Sequence, residues 1–195
     1  MKTRWMILVA VSLLVAVAPA YAERPWALEL RVGAGPANDP SDVQLGAALG
    51  FEGLLEYRMM PHLLGYGGWD WHHFASDQSF AGSGMDFVET GYAFGLRFEH
   101  PFGGELGAGP AWWVRGGATY NHIEVEDGDG HMVADSGHGF GWEAGTGVTF
   151  HVAERWSLTP GVRYRALSRD VTATGATSTV DLNYGVAEIG LSWSF

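Results

Sequence analysis

Between Val43 and Tyr57 the chain alternates with a period of two. Val43, Leu45, Ala47, Leu49, Phe51, Leu55 and Tyr57 fall on one parity, and Gln44, Gly46, Ala48, Gly50, Glu52 and Glu56 on the other. Successive side chains of a strand point to opposite faces, so this spacing predicts a strand with one apolar face and one small or charged face. Asp86–His100 repeats it, with Val88, Tyr92, Phe94, Leu96 and Phe98 set against Glu89, Gly91, Ala93, Gly95, Arg97 and Glu99. Trp26–Gly35, His62–Phe74, Leu106–His122, His138–Val152, Trp156–Arg169 and Leu182–Phe195 bring the count to eight segments. Residues 36–42, 75–85, 123–137 and 170–181 are longer polar connections, while those near 58–62, 100–106 and 152–156 read as tight turns.

An even number of strands, with short turns at one end and longer loops at the other, is the layout of an all-β, eight-stranded antiparallel up-and-down transmembrane barrel. A soluble barrel also alternates, with its apolar face inward. Three features favour the membrane arrangement. Arg31, Arg58, Arg97, Arg115, Arg163, Arg165 and Arg169 share the polar face with Glu29, Glu52, Glu56, Asp70, Glu89, Glu99, Glu143 and Glu188; lysine is absent from it, and the face is rich in glycine, as a narrow lumen requires. Aromatic residues of the apolar face gather near strand ends: Trp26, Tyr57, Trp112, Trp156 and Trp193 on the turn side, and Trp69, Trp71, Tyr120 and Trp142 on the loop side. Two such girdles are expected at the two membrane interfaces. Finally, the chain ends on Glu188-Ile-Gly-Leu-Ser-Trp-Ser-Phe195, an alternating strand closed by a phenylalanine.

That ending resembles the assembly signal of bacterial outer-membrane barrels, with Phe195 as its terminal residue. Together with the eight segments, residues 23–195 resemble the small barrels of the OmpA transmembrane-domain, OmpX and opacity-protein type. The resemblance implies insertion by the barrel-assembly machinery, contact with outer-membrane lipid and lipopolysaccharide, termini in the periplasm and four loops outside. The peptidoglycan-binding domain of OmpA-like proteins is not expected after Phe195, nor is its anchoring role.

Residues 1–22 read as a secretory signal peptide: Lys2 and Arg4, an apolar run from Met6 to Val17, and a small-x-small site at Ala20-Tyr21-Ala22, with cleavage expected after Ala22. There is no cysteine, so thiol redox chemistry and cysteine metal sites are excluded. The formal net charge is −11, and the only lysine, Lys2, leaves with the leader. Such a chain does not suit the phosphates of a nucleic acid. No cofactor motif is present, and no glycine-rich phosphate loop leads from a strand into a helix.

Several candidate sites emerge. Asp70, His72 and His73 sit together in Gly65–Phe74, but alternation sends Asp70 and His72 inward and His73 outward, which separates the two imidazoles. Counting heights from the turn end predicts a lumen charge network: Arg31 with Glu52, Arg115 and Arg165 with Glu143, and Arg163 with Glu188. Buried charges must pair, and eight strands leave a lumen that side chains can fill. Leu54, Leu64, Tyr66, Trp113, Leu167, Tyr184 and Val186 also read inward, with a bulge as the other reading near Tyr184. In the acidic loop after His122, Asp127 and Asp129 are weak cation candidates, since the remaining calcium-loop ligands are missing. Asp135, Ser136 and His138 are the nearest approach to a nucleophile set, though sequence neighbours do not converge as a triad. Lipid A deacylases share this shape, but their His-x-Ser pairs are absent.

The expectation is a structural or surface-interaction barrel with a salt-bridged, largely plugged lumen and acidic loops. Phe80, Met85 and Met132 are the apolar contacts expected for an extracellular protein or surface ligand. A narrow channel for small solutes or ions is the second reading, and a lipid A-modifying enzyme the third.

Overall fold

The computed structural model describes residues 24–38, 44–79, 81–173 and 175–195. The leader and its cleavage site lie outside the described residues, as does Phe80. The alternating segments form strands β1 (Trp26–Asn38), β2 (Gln44–Met60), β3 (Leu63–Ser79), β5 (Asp86–Pro101), β6 (Ala111–Glu126), β8 (Gly139–Ala153), β9 (Trp156–Ala173) and β10 (Ala176–Ser194). Two short strands, β4 (Gly82–Ser83) and β7 (Met132–Asp135), decorate the loops.

Neighbours run in the order β2-β1-β10-β9-β8-β6-β5-β3, and a β2–β3 pairing closes the ring. Every pairing in the ring is antiparallel. Closure removes the free edges that an open sheet would offer to other chains. The seam between first and last strands is tied at its base, where the Phe195 amide donates to the Trp26 carbonyl at 2.8 Å.

Three expectations about boundaries need correction. The segment 170–181 is not a loop: β9 and β10 stay paired up to Ala173 and Ala176, and Gly175, at φ +84°, turns the chain between them. A left-handed backbone there suits glycine, which has no Cβ to clash. Likewise β3 runs on to Ser79. In the opposite sense, Leu106 does not begin a strand. Residues 102–110 form a wide turn rather than a tight one, closed by the Phe102 amide on the Pro110 carbonyl at 3.1 Å. Four glycines and a proline without an N–H give this stretch little to pair with. No bulge occurs near Tyr184, since β9 and β10 pair without a register shift.

The longer strands carry an inversion of polarity. In their lower part charged residues face inward, and Leu30, Val32, Phe94, Leu96, Val162 and Ile189 are exposed on the outside. In the upper part the inside becomes largely apolar, with Arg169 the exception, its guanidinium donating to the carbonyls of Asn121, Phe140 and Gly139. Phe74, Phe87, Ile123, Val125, Leu167, Val171, Val180, Leu182 and Tyr184 form one buried cluster within the barrel at its loop end.

Candidate functional site

The lumen is built by parity: a carboxylate or arginine on each strand's inward positions meets others from strands across the ring. At the turn end, Arg58 reaches Glu99 at 2.9 Å, and Arg97 reaches Glu56 at 3.0 Å and Glu29 at 3.3 Å. Above them Arg31 bridges Glu29 at 3.0 Å and Glu188 at 2.6 Å. Trp113 is fully buried at this level, with the guanidinium carbons of Arg31 and Arg97 at 4.8 and 5.0 Å from its ring. The next layer joins Arg115 to Glu52 at 2.9 Å and Glu143 at 3.3 Å, and Arg163 to Glu52, Glu143 and Glu188 at 3.1–3.2 Å. Highest stands Arg165, bound to Glu143 and Asp70 at 2.7 Å each and to Glu89 at 3.0 Å.

Carboxylates outnumber guanidiniums in this chain of contacts, and neutral donors make up the difference. Tyr66 donates to Glu143 at 2.7 Å, Thr149 to Glu99 at 2.6 Å, and Asn121 to Asp70 and Glu89 at 3.0 and 2.6 Å. Thr159 donates to Glu29 and Tyr184 to Glu89. The residues expected from sequence to meet are brought together, with one change of partner. Arg31 and Glu52 are directly opposite on β1 and β2, yet Arg31 turns to Glu29 and Glu188, while Glu52 serves Arg115 and Arg163. Heights along the strands did not reveal Asp70, Glu89, Arg97, Tyr66 or Tyr184 as partners, because these contacts cross the lumen.

Asp70 and His72 face inward and are buried, whereas Trp69 and His73 face outward. The Nη2 of Arg163 lies 3.1 Å from His72 Nε2. A guanidinium only donates, so that ring nitrogen accepts. His73 pairs instead with Asp86 on the outer face at 3.0 Å. The two imidazoles share no ligand position.

On the outer surface the aromatic residues separate into two groups. Trp26 packs on Tyr57 at 4.5 Å and Trp193 on Phe195 at 5.0 Å near the turns; Tyr120 packs on Phe140 at 5.0 Å and Trp142 on Tyr164 at 5.5 Å near the loops. Trp156 contacts Trp193, Trp112 contacts Phe98, and Phe51 touches both Trp69 and Trp71.

In the loop after β6, Asp127 accepts the amides of Asp129 and His131 at 3.0 and 2.9 Å. These contacts, that of His131 foremost, hold its carboxyl below the usual aspartate value. The turn is thus stabilised above the ordinary value, and that stabilisation is lost as pH falls through the lowered one. Protection of the His131 amide from hydrogen exchange, relative to its intrinsic rate at each pH, should therefore hold until pH drops below the normal aspartate range; loss of protection already at pH 5 would contradict this. Ser136 is not a free nucleophile: its Oγ accepts the Ile123 amide at 2.8 Å and donates to the Gly137 carbonyl. Met132 is exposed, while Met85 packs against the buried apolar cluster rather than outward.

A closed ring of eight antiparallel strands, charged within and apolar without, defines an integral outer-membrane β-barrel. Residues 7–195 match the outer membrane protein beta-barrel domain family, and the chain belongs to it. No curated protein matches it in sequence. Among solved structures it is similar to Neisserial surface protein A, at a TM-score of 0.60 and 17% identity over 87% of this chain and 96% of that one. OprG of Pseudomonas aeruginosa aligns at 0.56 and 13% identity, covering 88% and 97%. Ail of Yersinia pestis, solved with the heparin analogue sucrose octasulfate, aligns at 0.51 and 12% identity, covering 89% and 100%.

Proposed function

We propose that this barrel is a non-conducting, non-enzymatic outer-membrane protein whose outer rim and loops are its working surface. One observation carries the reading. From Glu99 to Asp70 the lumen holds an unbroken chain of paired charges, and the apolar cluster of Phe74, Phe87, Ile123 and Leu182 lies above it. An ion entering would have to part buried pairs, each costing several kcal/mol to strand, and then cross a dry apolar plug. The engagement of Ser136 with the backbone argues in the same direction against acyl-transfer chemistry in that loop.

In this reading the aromatic groups near Trp26 and Tyr120 sit at the two lipid interfaces. Phe195 is the mark read by the assembly machinery. The leader ends at Ala22, and lipopolysaccharide surrounds the loop end. The loop end carries Glu124 and Glu126 at the top of β6, Asp127 and Asp129 in the loop and Asp135 on β7, so a partner there is cationic or held through a cation, unlike a sulfated sugar.

The test is single-channel recording on the purified chain in a planar bilayer, after a folded-versus-boiled gel shift has shown that the barrel is intact. Silence is expected. Discrete conductance steps that change in Glu143→Ala would replace this reading with the narrow channel.

A further inference from the structure

The outer face of β6 carries a group of side chains that the plugged lumen does not explain. His122 and Glu124 point outward above Tyr120, and β7 pairs so that Asp135 stands directly opposite Glu124. Like charges opposed on paired strands destabilise the ladder, and among the described residues no arginine lies in ion-pair range of either carboxylate. What separates them is one imidazole: His122 Nδ1 is 3.0 Å from Asp135 Oδ2, and His122 Nε2 is 3.4 Å from Glu124 Oε1. The ring of His138 stacks on that of His122, with centroids 4.3 Å apart.

A neutral imidazole has one N–H and cannot donate to both carboxylates. The Asp135 contact is the shorter and the better anchored. Asp135 Oδ1 accepts the Gly137 amide at 2.6 Å, and Gly137, at φ +69°, bends the chain to allow it. In the neutral ring this shorter, anchored contact takes the proton on Nδ1 and turns the Nε2 lone pair toward Glu124. Two ligand atoms bound to one tetrahedral zinc stand about 3.4 Å apart, given metal–ligand bonds of about 2.0–2.2 Å.

We propose that His122 Nε2 and Glu124 bind a divalent transition-metal ion of the zinc class on the outer rim. Asp135 fixes the tautomer and orientation of His122 through Nδ1, as carboxylates do behind metal-bound histidines. His138 supplies a third ligand by rotation of its exposed ring, which lies between Gly137 and Gly139. A donor set with two imidazoles selects zinc, nickel or copper over magnesium and calcium, which prefer oxygen alone. The ion cancels the opposed carboxylates and ties β6, β7 and the start of β8 together. The site is independent of whether the lumen conducts.

The experiment is calorimetric titration of the purified full chain in detergent with zinc alone, each variant first being shown folded by its gel shift. One zinc per barrel is expected in the wild type. Binding should be lost in His122→Ala and Glu124→Gln and weakened about 10–100-fold in Asp135→Asn. It should persist in Asp129→Asn and in the presence of excess magnesium. The proposal falls if the folded wild type shows no saturable binding, if His122→Ala and Glu124→Gln bind as it does, or if calcium displaces zinc at equal concentration.

Discussion

Replacing Glu143 by alanine should lower the unfolding free energy of the barrel by about 3–5 kcal/mol, the typical cost of removing one partner from a buried ion pair. Glu143 touches Arg165 at 2.7 Å, Arg163 at 3.2 Å and Arg115 at 3.3 Å, and accepts from Tyr66 at 2.7 Å. Truncation leaves three guanidiniums and a phenol at the centre of the lumen with one carboxylate fewer. Arginine cannot shed its charge to relieve this. Urea unfolding in lipid vesicles measures the effect. Glu154→Ala is the control, since its 2.5 Å pair with Arg24 is solvent-exposed and should leave the midpoint unchanged. Equal midpoints for both variants would mean that Glu143 does not hold the arginines in place.

Trp113→Ala should cost about 3–5 kcal/mol by a different route, the cavity left by a large buried ring. The indole sits near Arg31 and Arg97, and glycine lines its slot. A Cβ on Gly147 or Gly161 would come within 2.5 Å of Trp113 Cζ2. Gly161→Ala should therefore destabilise in the same direction without removing any contact of its own. The temperature at which the folded band disappears on a gel reports both variants. Trp113→Ala should still be electrically silent, because the Arg115–Glu143 layer and the apolar cluster remain above the hole. A loss of well under 1 kcal/mol in Trp113→Ala would show that the neighbouring side chains collapse into the gap.

The strand count could be read from alternation, because a two-residue period fixes which residues share a face. The closed antiparallel order and the inward charges needed in addition the alternation of short turns with long loops, the lysine-free charged face and the resemblance of the final strand. Pairing within the lumen was legible only in part. Heights along adjacent strands placed Arg31 beside Glu52, but side chains in a narrow barrel also reach across it. Arg165 on β9 thus finds Asp70 on β3, and Tyr66 on β3 finds Glu143 on β8. No sequence spacing encodes these distances. The strand ends were missed for another reason. Beyond Arg169 the outward residues are Asp170 and Thr172, and beyond Phe74 they are Ala75 and Ser79, which reads as a loop if the membrane pattern is expected throughout. The hydrogen bonding continues; only the sidedness changes. His122, Glu124 and Asp135 were visible as residues, but their convergence depends on β7 folding back along β6.

That change of sidedness gives the molecule a waterline. On β9, Val162 and Tyr164 face out while Arg163 and Arg165 face in; a few residues higher, Ser168, Asp170 and Thr172 face out while Leu167, Val171 and Ala173 face in. Each residue adds about 3.3 Å along the strand, which a barrel tilt of about 40° turns into roughly 2.5 Å of depth. Sinking by two residues would drag the Asp170 level toward the acyl chains, and rising would lift bare leucine and valine into water; both displacements are opposed. The barrel's depth in the membrane is therefore written into every wall strand that makes the switch, and does not rest on the aromatic residues alone.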